Sequence, residues 1–349
     1  MTTLLLRNSI SRSPLRRSPR LKQIMKTKSA SQTPRKLTKN AILLAIIALA
    51  LSASSAFAAT ATWTGGKSSW FNGGNWNPGE PDCSTDAEIN NTGTAQINTP
   101  TPLAQCHDLT LGADVGDSGN VSVSNGSLSI CENAFIAAHD RGNLSIANAG
   151  SVTTAGYAAI AAFMGTGEIT SDGAATVDGT STWTITGELD VGGNPNGQGG
   201  TGLLTVTNGG TVSSGTSVHV YPSGTLAGTG TVSVNSGSGT VTINGGTLAP
   251  SGTLTITGNL TFGTTNANMR CNVSSTSVDN AQVSGTGTLN GKLSVTVSVT
   301  GDFTLLHLGQ GRVNDSKFSS YSFTYTGCLS PSIRYVNGDV ILHVESSCQ

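Results

Sequence analysis

The chain has 349 residues with 18 Lys and Arg, 19 Asp and Glu, and 45 Gly, and its formal charge of -1 is a cancellation. Residues 1–58 carry 11 basic groups and no acid, while the remaining 291 carry 7 basic and 19 acidic ones, a poor composition for a nucleic-acid binder, which needs clustered Lys and Arg. Every Gly lies after residue 58 without a three-residue period, which excludes collagen, and five His leave little material for a catalytic centre.

Residues 1–58 read as an export signal. Arg35, Lys36 and Lys39 precede the apolar run AILLAIIALAL at 41–51, whose eleven residues are about half of the ~20 that cross a bilayer as a helix. Small residues at Ala56 and Ala58 place the expected cut between Ala58 and Ala59, and Met25 opens a more ordinary leader than Met1 does. A secreted or cell-surface protein with no transmembrane segment in the mature chain is therefore expected. All six Cys fall after the leader, where export permits disulfides.

Residues 59–108 are expected to form an N-terminal cap. Trp63, Trp70 and Trp76 lie here among Gly and Asn. Aromatic faces stack on sugars, which makes the three a candidate glycan-binding set; the competing reading is a bulky lid for the end of a solenoid. Cys106 and Cys131 are 25 residues apart, close to one coil of a stacked fold, so successive rungs would bring their Cα atoms to roughly 4.8 Å. Cys83 with Cys106 is the rival pair.

Residues 109–300 alternate short apolar dyads with turns. Leu204 and Val206, Val212, Val218 and Val220, Leu226, then Val232 and Val234 put inward side chains two apart, with Thr and Ser between them facing out. Asn125-Gly126, Asn148 with Gly150, Asp172-Gly173, Asn208-Gly209 and Asn244-Gly245 recur at intervals of 23, 24, 36 and 36 residues. Three short strands with turns need roughly 22 to 25 residues per coil, so the shorter intervals fit one rung each. The longer ones call for an inserted loop, for which GGNPNGQGG at 192–200 is the candidate. The fold class is all-β: a right-handed single-stranded parallel β-helix of seven or eight coils, in the manner of pectin lyases, whose coils bury their apolar stripe only by stacking. Residues 301–349 are expected to close it as a β-rich cap stapled by Cys328 and Cys348, and Cys271 shares a face with Met269 and Val273 as a buried thiol.

The stretches AATVDGTSTWTITGELDVGG at 174–193 and GTGLLTVTNGGTVSS at 200–214 resemble the β-helical passenger repeats of bacterial autotransporters. GGTLAPSGTLTITGNLTFG at 245–263 and YVNGDVILHV at 335–344 are similar to the closing part of such passengers, and WTGGKSSWFNGGNW at 63–76 to their start. The likeness implies a secreted scaffold whose motifs specify structure, with Trp183 as a packing residue. It departs from autotransporters after Val344, where five residues follow and no translocator barrel of ~10-residue alternating segments is expected.

Chemistry on such a scaffold needs convergent carboxylates. Glu168, Asp172, Asp178, Glu188 and Asp190 are the richest acidic stretch, candidates for glycoside cleavage or for calcium. Their irregular spacing, and the absence of any Lys or Arg between Arg141 and Arg270, favours a solvated flank. Asp114 and Asp117 fit a turn as well as a calcium ligand pair, the triplet His139, Asp140 and Arg141 reads as a turn, and the His residues lack metal-ligand spacing. No cofactor is expected. The functional expectation is an adhesin-like structural protein that binds glycans or other cell-envelope components without catalysis. The alternative is a polysaccharide lyase or glycoside hydrolase.

Overall fold

The computed structural model describes residues 58–161, 171–195 and 199–348. They form a parallel β-solenoid of about ten turns, a parallel β-helix. The export signal, apart from Ala58, lies outside the described residues. Each full coil contributes one short strand to each of three sheets. In one coil, Leu109–Leu111 enters the first sheet, Ser118–Ser124 the second and Ser127–Ile130 the third.

Alternation sets the strands. In Ser127–Ile130, Leu128 and Ile130 are buried while Ser127 and Ser129 are half-buried on the outside. Register then stacks like on like. Leu111, Ile136, Ile160, Val191, Val220, Ile243 and Phe262 form one continuous inner column of the first sheet. Each such Leu, Ile or Val contributes about 1.5–3 kcal/mol by leaving water, and stacking on the coils above and below completes that burial. Trp183 belongs to this interior: it stacks between Val152 and Val212, and its Nε1 donates to Oγ1 of Thr154 at 3.1 Å.

The seven or eight coils expected from sequence fall short of the ten observed because the capping segments are themselves coiled. Thr85–Ile89, Thr94–Ile97 and Ala104–Cys106, all before residue 109, pair in parallel with Leu109–Leu111, Ser118–Ser124 and Ser127–Ile130. At the other end, Ser320–Tyr325 pairs in parallel with Lys292–Val297, past residue 300. Among the described strands, the extremities pair antiparallel: Trp76–Asn77 against Ala59–Trp63, and a hairpin of Leu329–Val336 with Asp339–Ser346 that closes on Gly301–Leu308.

The turn spacing also needs correction. Asn125, Asn148 and Asn208 occupy one corner, between the second and third sheets, each with a positive φ of 52–54°. Gly179, with φ 66°, turns the coil between Asn148 and Asn208. Asp172 and Gly173 instead begin a second-sheet strand, and Asn244 lies at the corner before that sheet, so the 36-residue intervals measured between unlike corners. True coil lengths follow from register: Arg141 sits on Ser118, Asp172 on Arg141, Thr201 on Asp172 and Gly224 on Gly202, giving coils of 23, 31, 29 and 22 residues. The 29-residue coil contains the 192–200 segment, of which 196–198 lie outside the described residues.

One column of the second sheet is glycine in five successive coils: Gly119, Gly142, Gly173, Gly202 and Gly224. Here the chain leaving the first sheet passes so close that a Cβ on Gly142 would stand 2.2 Å from the Ala137 nitrogen, and one on Gly224 2.1 Å from the Val191 oxygen. No side chain fits there.

Candidate functional site

The three N-terminal tryptophans are packed into the end of the core. Trp63 and Trp70 each meet Trp76 edge to face, with ring centroids 4.8 Å apart. Their exposures are 1%, 0% and 4% for Trp63, Trp70 and Trp76, and the Trp76 Nε1 donates to the Trp70 carbonyl at 2.8 Å. A sugar needs an exposed aromatic face, and none of the three presents one. The glycan-binding reading of Trp63, Trp70 and Trp76 is thus replaced by the lid.

The cysteines pair differently from the expected rungs. Cys83 bonds Cys131, and Cys328 bonds Cys348, with Cα separations of 5.4 and 5.2 Å. Cys106 is a buried free thiol, so both Cys106–Cys131 and Cys83–Cys106 are corrected. The reason is strand alternation: Cys106 is in register with the inward Ile130, and Cys131 is the next residue, on the opposite side. Burial, helped by the Asp108 and Asp86 carboxylates, pushes the Cys106 thiol well up, and it stays protonated. Cys271 is likewise buried and free, inward with Met269 and Val273.

The acidic stretch does not converge. Glu168 lies outside the described residues. Asp172 and Asp178 stand at opposite ends of one second-sheet strand, about 20 Å apart at the usual strand rise. Thr207 Oγ1 and Asn208 Nδ2 donate to the Asp178 carboxylate at 2.8 and 2.7 Å, and these bonds hold its pKa below the ordinary value. Asp114 and Asp117 close a turn through a 3.1 Å backbone bond. Asp140 accepts from the Gly116 amide at 2.6 Å, and Arg141 lies over Asp172 beside a cleft of about 690 Å³.

Glu188 and Asp190 do meet other functional groups, on the outer face of the first sheet. Leu189 and Val191 point inward, which turns Asp190 outward, in register with His219 on the next coil. Even so Asp190 is only 1% exposed. The Tyr157 hydroxyl, one coil back, donates to Asp190 Oδ2 at 2.8 Å, and among the described residues no group donates to Oδ1. Burial pushes the Asp190 carboxyl up to about 7; the Tyr157 bond opposes that rise and the neighbouring Glu188 carboxylate adds to it. Burial and the Asp190 charge push the Tyr157 hydroxyl well above its ordinary value too.

Beside this pair runs an open groove of about 580 Å³, lined by Glu188, Pro195, His219, Tyr221, Asn244 and Thr264 among others. His219 Nε2 is 3.5 Å from Glu188 Oε1, its Nδ1 is 3.2 Å from Asn244 Nδ2, and its ring stacks on Tyr221 at 6.0 Å. The amide of Asn244 donates to Nδ1, which leaves the Nε2 proton facing Glu188. Tyr221 is itself only 7% exposed, its ring covered much like those of the lid, so what the rigid sheet offers at successive rungs is a carboxylate, an imidazole and an amide, a set that can bond sugar hydroxyls. Sequence reasoning passed over Tyr157, His219 and Tyr221. The one signal for the last two was their place at alternate positions around inward Val220.

No protein-family model, curated protein or solved structure matches the chain.

Proposed function

We propose that the protein is a secreted or cell-surface β-helix scaffold, built like an autotransporter passenger, that binds glycans of the cell envelope without catalysis. Export rests on the basic and apolar leader ending at Ala58 and on the placement of the cysteines after it. Glycan binding rests on one observation, the open groove in which the half-buried side chains of Glu188, His219 and Asn244 stand on successive rungs as hydrogen-bonding groups. Such a groove on stacked strands suits an extended polysaccharide, since each rung repeats the same step of about 4.8 Å. The test is a glycan array followed by calorimetry on the secreted protein. Binding to at least one polysaccharide, weakened tenfold or more by His219→Ala, supports the reading; no binding, or binding indifferent to His219, overturns it.

A second reading, glycoside hydrolysis, draws on the Glu188 and Asp190 pair, where one carboxyl stays protonated near neutrality. Against it, Asp190 is buried and its Oδ2 is committed to Tyr157, leaving no oxygen able to reach a glycosidic bond. Release of reducing or unsaturated sugars from a polysaccharide panel, abolished by Glu188→Gln, would establish the enzyme and displace the first reading.

A further inference from the structure

Away from the groove, three successive coils near the N-terminal end bring an imidazole between carboxylates. Asp86 lies in the strand Thr85–Ile89, His107 and Asp108 just before Leu109–Leu111, and Glu132 just before Ala134–Ile136. Backbone bonds fix this alignment: the His107 amide donates to the Thr85 carbonyl and the Glu132 amide to the His107 carbonyl, at 2.9 and 2.8 Å. The His107 ring is held from both sides, with Nδ1 3.0 Å from Asp86 Oδ1 and Nε2 3.1 Å from Glu132 Oε2. One ligand atom from each of Asp86, His107 and Asp108 falls within 4.8 Å of the others.

We propose that Asp86, His107 and Asp108 form a zinc site, with Glu132 orienting the imidazole from its far nitrogen. The donor set decides the metal class. Zinc takes imidazole nitrogen together with carboxylate oxygen at about 2.0–2.2 Å, whereas calcium asks for six to eight oxygens and gains nothing from an imidazole. In a tetrahedral zinc site neighbouring ligand atoms stand about 3.4 Å apart, so side-chain rotations must draw in a triangle whose atoms lie within 4.8 Å of one another. Glu132 supplies the feature that separates a metal site from a chance acidic cluster. By accepting a hydrogen bond from Nε2–H it leaves the Nδ1 lone pair free on the side where Asp86 stands, the usual carboxylate–histidine–metal arrangement. The Asn133 amide donates to Asp108 Oδ1 at 2.7 Å, anchoring that carboxylate and leaving its second oxygen for the ion. Among the described residues Asp86 and Glu132 pair with His107 and no Lys or Arg pairs with them or with Asp108, so three carboxylates share one imidazole, an excess of negative charge that a divalent ion would offset. Three protein ligands also leave room for a water.

The experiment is calorimetric titration of the EDTA-stripped secreted protein, disulfides intact, with zinc chloride and separately with calcium chloride. One zinc per chain is expected, bound at least a hundredfold more tightly than calcium. His107→Gln is expected to abolish this binding, and Glu132→Gln, which alters only an exposed orienting group, to weaken it 10- to 100-fold. Circular dichroism verifies that each variant keeps its strands. Cobalt loading adds a spectroscopic readout: visible d–d bands without a thiolate charge-transfer band identify an N/O site. The proposal is overturned by calcium binding more tightly than zinc, by zinc binding unchanged in His107→Gln, by a stoichiometry far below one, or by a thiolate band.

Discussion

The hydroxyl of Tyr157 donates to Asp190 Oδ2 at 2.8 Å across a coil boundary, between residues 33 apart in sequence. The bond ties two rungs at a buried carboxyl whose Oδ1 meets no donor among the described residues.

That geometry gives a pH dependence of stability. Asp190 has a folded-state pKa of about 7, raised from 3.8 chiefly by burial. Between those values the folded chain holds a proton that the unfolded chain has released, so stability is full below about pH 4 and falls as pH rises through about 7. The loss is on the order of a few kcal/mol. Asp190→Asn keeps an acceptor for Tyr157 and removes the ionisation, so its denaturation midpoint is expected to stay nearly flat from pH 4 to 7. A wild-type slope that persists in Asp190→Asn would refute the assignment.

The glycine column yields a sharper mutational test. A Cβ at position 202 would stand 2.3 Å from the Gly192 nitrogen, a backbone atom that cannot swing aside. Gly202→Ala is expected to cost about 3 kcal/mol or to prevent folding. Gly116→Ala, whose Cβ would meet nothing within 4 Å but which has φ 92°, isolates backbone strain from steric clash and is expected to cost about 1 kcal/mol. Urea denaturation of the two variants measures both.

For the cysteines, the expected outcome of peptide mapping without reduction is two cross-links, Cys83 to Cys131 and Cys328 to Cys348. Cys106 and Cys271, both buried, should react with iodoacetamide only after denaturation. Replacing Cys83 and Cys131 together by Ser opens a loop with a sequence separation of 48 and is expected to cost about 2–4 kcal/mol. Recovery of a Cys106 cross-link would contradict this pairing.

The aromatic lid is open to the same scrutiny. Trp76 packs on both Trp63 and Trp70 and is 4% exposed. Trp76→Ala is expected to destabilise by about 3–5 kcal/mol while leaving glycan affinity in the Tyr221 groove unchanged. Parallel thermal melts and binding titrations separate these two effects.

Much of the solenoid was legible because its information is local. The dyads Leu204/Val206 and Val218/Val220 state inward positions directly, and Asn125 and Asn208 mark corners where a left-handed residue is needed. What resisted was anything depending on register between coils of unequal length. Asp172-Gly173 looked like the Asn-Gly corners, yet it begins a strand in a different sheet. Tyr157, Asp190 and His219 are brought together only because coils of differing length return to the same outer row. The Cys106 error has the same origin at finer scale: a 25-residue interval was read as one rung, but the strand partner of Cys106 is Ile130, and one residue of offset moves a side chain to the other face.

The glycine column has a consequence for how such a chain changes length. Each coil presents its neighbour with the same bare backbone at that corner, so rungs are interchangeable parts. Excising one rung, such as residues 202–223, would leave Thr201 joined to Gly224, which already occupies the ladder position of Gly202. Whole rungs can therefore be added or dropped as modules, and a coil can carry extra residues, as those of 31 and 29 do, provided the next glycine returns to the file.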